Sequence, residues 1–269
     1  MRPAETANSG AGTGTGAGSG AGPGAGAGAG AGTRTVCVLP AWNEGAKIAA
    51  VVRAVPADVV ETVVVVDDGS SDDTADQAEA AGAVVIRQGR NQGVGAAIRS
   101  GIDYALSHDF DIVVVASGAG KTPPEEIPRL LRPLLEDGVD LAQGSRYVAG
   151  GRYRHMPLHR RLGTVAYTKL FSLLAWRDVS DASSGFRAFR VSLLKDRRIN
   201  LWQSWLDRYE LEPYLLYTAL RYGHKVVEVP VTIAYPPPRA PGGYTKMRKV
   251  IDWWKIFRPV VFLALRIRR

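Results

Sequence analysis

Cysteine, histidine and, over long stretches, acid are what this chain is short of. One cysteine, Cys37, occurs in 269 residues, which excludes an internal disulfide and fits a reducing compartment. Four histidines are present. His155 and His159 stand four apart, but with no third ligand beside them they make no metal motif. No apolar run is long and uncharged enough to span a bilayer, and no apolar core precedes Thr35, so no secretory signal peptide is expected. Residues 1–33 are almost entirely Gly, Ala, Ser and Thr. They carry too little apolar surface to offset the entropy of ordering, and a disordered tail is expected there. Acid is absent from Leu141 to Arg177. From Pro236 to Arg269 nine Lys or Arg face one acid, Asp252, an excess equal to the whole formal charge of +8. Such asymmetry points to an anionic partner, a phosphate or an acidic membrane surface. Nucleic acid is set aside, because the basic excess lacks an aromatic stacking platform.

What is present suits one globular domain: 46% of the residues are hydrophobic and 22% charged. Four consecutive valines, Val63–Val66, read as a strand buried on both faces. They stop at Asp67-Asp68-Gly69-Ser70-Ser71-Asp72, and Asp72 stands where it can cap the helical pattern that follows. Alone, this stretch is equally a capped turn with solvated acids. Further strands are expected at Thr35–Leu39, Ala83–Ile86, Asp111–Val115 and Val139–Gln143. Helices are expected from Gly45 to Val55, after Asp72 to Ala81, from Gly93 to Ser107 and from Pro124 to Glu136. Strands alternating with helices of this length give an α/β fold with a doubly wound, mostly parallel sheet, whose ligand belongs at the carboxyl ends of the strands.

Several motifs follow one another in a fixed order: Leu39-Pro40-Ala41-Trp42-Asn43-Glu44, Asp67-Asp68-Gly69-Ser70, Asn91-x-Gly93-x-Gly95, Pro123-Pro124-Glu125, Gly144-Ser145-Arg146-Tyr147, Asp181-x-x-Ser184-Gly185-Phe186-Arg187 and Val227-Glu228-Val229-Pro230. Their order resembles the family 2 glycosyltransferases of the GT-A (Rossmann-like) fold, and within them the polyprenyl-phosphate sugar synthases. The resemblance runs from about Thr35 to Lys246. It implies a nucleotide-sugar donor bordered by Pro40, Asn43, Glu44, Asp67, Asp68, Gly69, Asn91 and Gly93. Asp67 is the residue that would hydrogen-bond the base, since an acceptor-only carboxylate suits an imide or amide N–H.

The chain departs from that family at one place. Where the family carries Asp-x-Asp for Mg²⁺ or Mn²⁺, the register set by Pro123-Pro124-Glu125 puts Ser117 and Ala119, within Ser117-Gly118-Ala119-Gly120-Lys121-Thr122. No carboxylate lies between Asp111 and Glu125, and hard divalent cations need anionic oxygen. No cofactor is therefore expected, although a divalent ion held by other carboxylates stays open. A glycine-rich turn with a lysine can hold phosphate oxygens through backbone N–H groups and one ammonium, so Gly118, Gly120 and Lys121 are donor candidates. The alternative is a purely structural turn. The spacing is not that of a Walker A loop.

The second half carries the acceptor candidates. Arg146, Arg160 and Arg161 lie in the acid-free stretch, where paired N–H groups grip phosphate, or where a solvated basic loop simply sits. Asp181 and Ser184 are expected to close the acceptor side. Glu212 is the candidate general base, although an acid at a helix start also complements the dipole. Arg239 and Lys246 resemble the family's loop over the donor diphosphate. After them, Val250 to Leu265 with Trp253 and Trp254 reads as an amphipathic helix, lying on an anionic leaflet or packed on the domain. Three units result: a tail at 1–33, a GT-A domain at 34–235, and a basic loop with the C-terminal helix at 236–269. The expected activity is inverting transfer from a nucleotide sugar to a polyprenyl phosphate, assisted by Lys121, Arg146 and Glu212, by a cytoplasmic protein peripheral to the membrane. Transfer to a small hydroxyl acceptor, or nucleotide-sugar binding without catalysis, are the alternatives.

Overall fold

The computed structural model describes residues 32–236 and 251–267. Residues 1–31 of the expected tail lie outside the described residues, as do Arg239 and Lys246. The strands are β1 (Thr35–Ala41), β2 (Thr62–Asp67), β3 (Val84–Arg87), β4 (Ile112–Val115), β5 (Leu141–Ser145), β6 (Arg152–Arg154), β7 (Arg187–Arg190), β8 (Val226–Pro230) and β9 (Thr232–Ala234). The helices are α1 (Gly45–Arg53), α2 (Thr74–Ala80), α3 (Val94–Ser107), α4 (Ile127–Glu136), α5 (Leu158–Ala175), α6 (Leu211–Arg221) and α7 (Ile251–Ala264). Seven strands pair in the order β3-β2-β1-β4-β7-β5-β8, and β6 with β9 makes a separate parallel ribbon.

Alternation along the valine-rich strands explains why helices cover both faces. Val36 and Val38 of β1, Val64 and Val66 of β2, and Val113 and Val115 of β4 enter one core, together with Ile98, Tyr167 and Tyr214. Cys37, Leu39, Val65, Ile112 and Val114 enter the other, with Ile48, Leu130 and Leu134. Each such side chain contributes roughly 1.5–3 kcal/mol on burial. The sheet is a mixed one, because β7 runs antiparallel to both β4 and β5. Its four residues begin and end with arginine, a pattern too short and too charged to read as a strand. β5 starts two residues later than expected, because Leu141–Ser145 pairs with Val226–Pro230.

The register levels the carboxyl ends that matter. Ala41 stands beside Asp67, Asp67 beside Arg87, and Val38 beside Val115. All the loops that leave these strands therefore converge on one edge. The C-terminal helix docks on the domain: Phe257 meets Tyr167 edge to face at 4.9 Å, Val260 is buried, and Arg258 reaches Glu210 at 2.7 Å. Of the two placements open from the sequence, this is the packed one for that face, while Trp254 stays 55% exposed on the other. No helix among the described residues is long and apolar enough to cross a membrane.

Candidate functional site

A cavity of about 730 Å³ opens at the carboxyl ends of β1, β2 and β4. One corner is built by side chains that serve backbone. Asp68 is buried, and its two carboxylate oxygens accept from Gln92 N at 2.6 Å and Gly93 N at 2.9 Å. Burial pushes its carboxyl above the ordinary value, against the pull of those two N–H groups. Gly93 has φ +113, and a Cβ there would meet the Asp207 carbonyl oxygen at 2.5 Å; only glycine lets the start of α3 pass so close. Asp67 accepts from Ser70 N at 3.0 Å, and Asn43, at φ 53, accepts from Ser71 N at 2.8 Å. Asp72 accepts from both Gly45 N and Thr74 N, each at 3.1 Å, so it ties the starts of α1 and α2 together as well as serving the helix it was expected to cap.

The opposite wall rests on a buried ion pair. Arg146 is 3% exposed and Asp181 0%. The guanidinium donates Nε to Asp181 Oδ2 at 2.6 Å and Nη2 to Oδ1 at 3.1 Å, with further bonds to Tyr235 Oη at 2.7 Å and Ser183 Oγ at 2.9 Å. Burial opposes the charge on Arg146, but Asp181 outweighs it and holds the pKa above the ordinary value. Glu228, from the Val-Glu-Val-Pro motif, accepts from Ser180 N and Asp181 N at 2.7 and 2.9 Å. Gln143 donates to the carbonyls of Asp181 and Ser184. With Ala182 N donating to Thr168 Oγ1 of α5 at 3.2 Å, the Ser180–Gly185 loop is fixed from three elements, β5, β8 and α5.

Glu212 lies in the first turn of α6 and lines the cavity. Its backbone carbonyl accepts from Arg187 Nη1 at 2.7 Å. Its carboxylate covers Gly185, where a Cβ would come within 2.4 Å of Oε1. Burial raises its pKa, and Arg187 works the other way. A carboxyl raised in this manner holds a proton more strongly than an exposed glutamate does.

Of the sequence-derived candidates, Pro40, Glu44, Asp68, Asn91, Gly93, Ser117, Ala119, Lys121, Arg146, Arg160, Ser184 and Glu212 line this one cavity. Asn43, Asp67, Gly69, Gly118, Gly120, Arg161 and Asp181 stand outside its lining, each for a visible reason. Asn43 and Asp67 hold the Ser70–Ser71 turn from behind. Gly69, at φ +70, lets that turn pass the backbone of Arg90, and Gly118 packs against the Pro40 carbonyl. Gly120, at φ +68, donates its N–H to the Ser117 carbonyl. Arg161 lies over the Tyr153 ring, and Asp181 is spent on Arg146. The expected glycine cradle for phosphate is reduced further, since Ser117 N donates to Thr122 Oγ1 at 3.0 Å.

Sequence reasoning missed Lys47, Arg208, Tyr209, Tyr235, Lys255 and Ile256 in the lining. Arg208 and Tyr209 immediately precede Glu210-Leu211-Glu212, and that adjacency was a usable signal. Lys255 and Ile256 arrive only because α7 docks, which no local pattern announces.

The usual divalent ion of a GT-A site does not fit the residues here. Ser117 and Ala119 offer no carboxylate, both oxygens of Asp68 already accept N–H groups, and Glu44 pairs with Lys47 at 3.3 Å. Among the described residues no group of three or more His, Cys, Asp or Glu is placed to hold a metal ion.

A family model described as "Glycosyl transferase family 2" matches residues 36–198. A polyprenol monophosphomannose synthase of Mycolicibacterium smegmatis is 32% identical over 206 residues, covering 74% of this chain and 77% of that protein. An undecaprenyl-phosphate mannosyltransferase of Micrococcus luteus is 29% identical over 205 residues, 74% of this chain and 83% of its own. Among solved structures, glucosyl-3-phosphoglycerate synthase from Mycobacterium tuberculosis, in complex with Mn²⁺, UDP and glucosyl-3-phosphoglycerate, superposes with a TM-score of 0.65 at 23% identity. That likeness covers 89% of this chain and 82% of the other, and it shows the GT-A fold.

Proposed function

The chain belongs to glycosyl transferase family 2 and is a glycosyltransferase, and from that premise we propose that it moves a sugar from a nucleotide donor to a polyprenyl phosphate with inversion. One observation carries this: a single cavity joins the corner made by Pro40, Glu44, Asp68, Asn91 and Gly93 to a wall that presents Arg160 and Lys255. The first suits a nucleoside and the second an anionic acceptor. The relatives whose names specify polyprenyl phosphates support the same acceptor class. In this reading residues 34–235 carry the transfer chemistry, 1–33 is a tail without a part in it, and the basic segment 236–269 faces the lipid phosphate at an anionic membrane surface.

The step balances without a strong base. An acceptor phosphate oxygen bonds to the anomeric carbon as the bond from that carbon to the donor's β-phosphate oxygen breaks. The electron pair leaves with the nucleoside diphosphate. The protein's part is orientation and charge stabilisation. Within that part, Arg146 works as the pillar that positions Ser183 and Tyr235, and Arg160 is the cation toward the acceptor.

One observation favours a second reading: Glu212, with its raised carboxyl, lines the cavity at the start of α6. Transfer to a hydroxyl would use it as general base. Incubation with a panel of nucleotide sugars and either undecaprenyl phosphate or small hydroxyl acceptors, read by mass spectrometry, separates the two. A glycosyl phosphate on the lipid supports the first reading. Product only from hydroxyl acceptors replaces it by the second, and no turnover of any donor rejects both.

A further inference from the structure

Past the carboxyl end of β4 the chain carries a cation, Lys121, two residues beyond Ala119, the second of the positions where the resemblance implies carboxylates. The Ser117–Thr122 turn is pinned on every side. Ala116 N donates to the Val38 carbonyl at 3.1 Å, Ser117 N to Thr122 Oγ1 at 3.0 Å, and Ala234 N to the Lys121 carbonyl at 2.7 Å. Gly118 is pressed so closely on β1 that a Cβ would lie 2.6 Å from the Pro40 carbonyl oxygen. Two of the turn's N–H groups serve the turn itself, so its contribution to the cavity is the wall residues Ser117, Ala119, Lys121 and Thr122 on a backbone held by those bonds. Residues 237–250 contain no Asp, Glu, His or Cys, while they contain Arg239, Lys246, Arg248 and Lys249. No carboxylate, imidazole or thiolate ligand for a divalent ion can come from that segment.

Resting on the donor reading above, we propose that the donor diphosphate is bound without a divalent ion, and that the Lys121 ammonium takes the ion's place against the leaving phosphates. Nothing else in the transfer step changes: the same bond breaks, and the charge gained by the leaving diphosphate is met by the Lys121 ammonium. A carboxylate pair must first bring a metal to the phosphates, whereas a lysine needs no such intermediary and repels no phosphate. The bonds that hold the turn keep the Lys121 backbone at the cavity wall, which limits how far its ammonium has to reach toward the leaving diphosphate.

Calorimetry on the full chain with UDP, GDP, dTDP and CDP tests this, each titrated in excess EDTA and again in millimolar MnCl₂. At least one diphosphate is expected to bind with the same affinity in both. Lys121→Gln is expected to weaken it by about 10- to 100-fold, the size of one charge-assisted contact. The matching nucleoside is expected to bind the variant as it binds wild type, and Lys121→Arg to restore most of the loss. Thermal melting of each variant alongside separates a folding defect from a binding one. Diphosphate binding that disappears in EDTA and returns with Mn²⁺ overturns the proposal and leaves the donor reading standing. So does a Lys121→Gln variant that binds diphosphate normally, or one that loses nucleoside and diphosphate equally. Absence of binding by all four diphosphates in both buffers overturns the proposal and the donor reading together.

Discussion

Asp181→Ala is expected to damage the fold before it damages anything else. The carboxylate accepts from Arg146 Nε and Nη2, from Arg146 N at 3.2 Å and from Ser183 Oγ at 2.9 Å. Both partners are almost wholly buried. Removing Asp181 leaves a guanidinium charge in the interior with only Tyr235 and Ser183 as acceptors. Breaking one side of such a pair costs about 3–5 kcal/mol. For a folded unit near 200 residues each kcal/mol lowers Tm by about 2–4 °C, so the expected fall is about 6–20 °C. The burial of the pair also makes the loss insensitive to salt. The companion variant Arg146→Met leaves Asp181 as the stranded charge and should cost a similar amount. The double variant Asp181→Leu with Arg146→Met strands neither, and should melt above both single variants. Circular dichroism melts of the three proteins at low and high salt make the measurement. Had Asp181 been an acceptor ligand, its loss would leave Tm alone and raise KM for the acceptor. A Tm change under about 2 °C for Asp181→Ala would refute the account of the ion pair.

Glu212→Gln should stabilise the chain near neutral pH. The folded pKa is raised, so the folded state holds the proton to higher pH than the unfolded chain, and stability falls as pH rises through that window. The gain in Tm should vanish below about pH 4, where the carboxyl is protonated in both states; equal Tm values at neutral pH would count against a buried ionised Glu212. The same variant should lose about 10²- to 10⁴-fold in kcat with a hydroxyl acceptor and far less with a phosphate acceptor. Arg258→Met, which removes the bonds to Glu210 at 2.7 Å and the Trp205 carbonyl at 2.9 Å, should cost about 2 kcal/mol and raise hydrogen exchange in α7 while β1, β2 and β4 stay protected. Uniform exchange changes would mean that α7 is not a separately docked element. Replacing Trp253 and Trp254 by alanine should release the protein from anionic vesicles at low salt without lowering Tm, and a wild type that never co-sediments with such vesicles removes the membrane-facing role of this helix.

The centre of the sheet was legible because β1, β2 and β4 are short, valine-rich and buried on both faces. Val63–Val66 has no other stable home, and the helices between the strands show their apolar spacing plainly. β7 escaped because Arg187 and Arg190 disguise a strand whose pairing is decided by β4 and β5 on either side. Within the site, residue types say which side chains have the chemistry to meet a ligand, and the fold decides which of them reach the cavity. Asp67, Asn43 and Asp181 have side chains that could meet a ligand, and each is taken by backbone or by an internal cation, which only three-dimensional neighbours can reveal. Arg146 is the clearest instance: an arginine after Gly-Ser in an acid-free stretch reads as a phosphate grip, until Asp181, 35 residues on, arrives beside it. Lys255 is the reverse case, a residue with no motif that reaches the cavity through the docking of a helix.

That docking divides the chain's responsibilities. The corner formed by Pro40, Asp68, Asn91 and Lys121 is complete before residue 123, whereas the facing wall draws on Arg146, Ser184, Glu212, Tyr235 and Lys255. The family model ends at residue 198, short of the last three. Variation can therefore act on the two walls unequally: substitutions after residue 198 reshape what faces Glu212, and they spare the bonds to Asp68 and the Ser117–Thr122 turn where Asp207, against Gly93, and Ala234, whose N–H meets the Lys121 carbonyl, keep their places. Chimeras that join the first part of this chain to the last part of a relative would have to preserve the contacts that cross residue 198, among them Arg99 to Asp207, Ser180 N to Glu228 and Ala234 N to the Lys121 carbonyl.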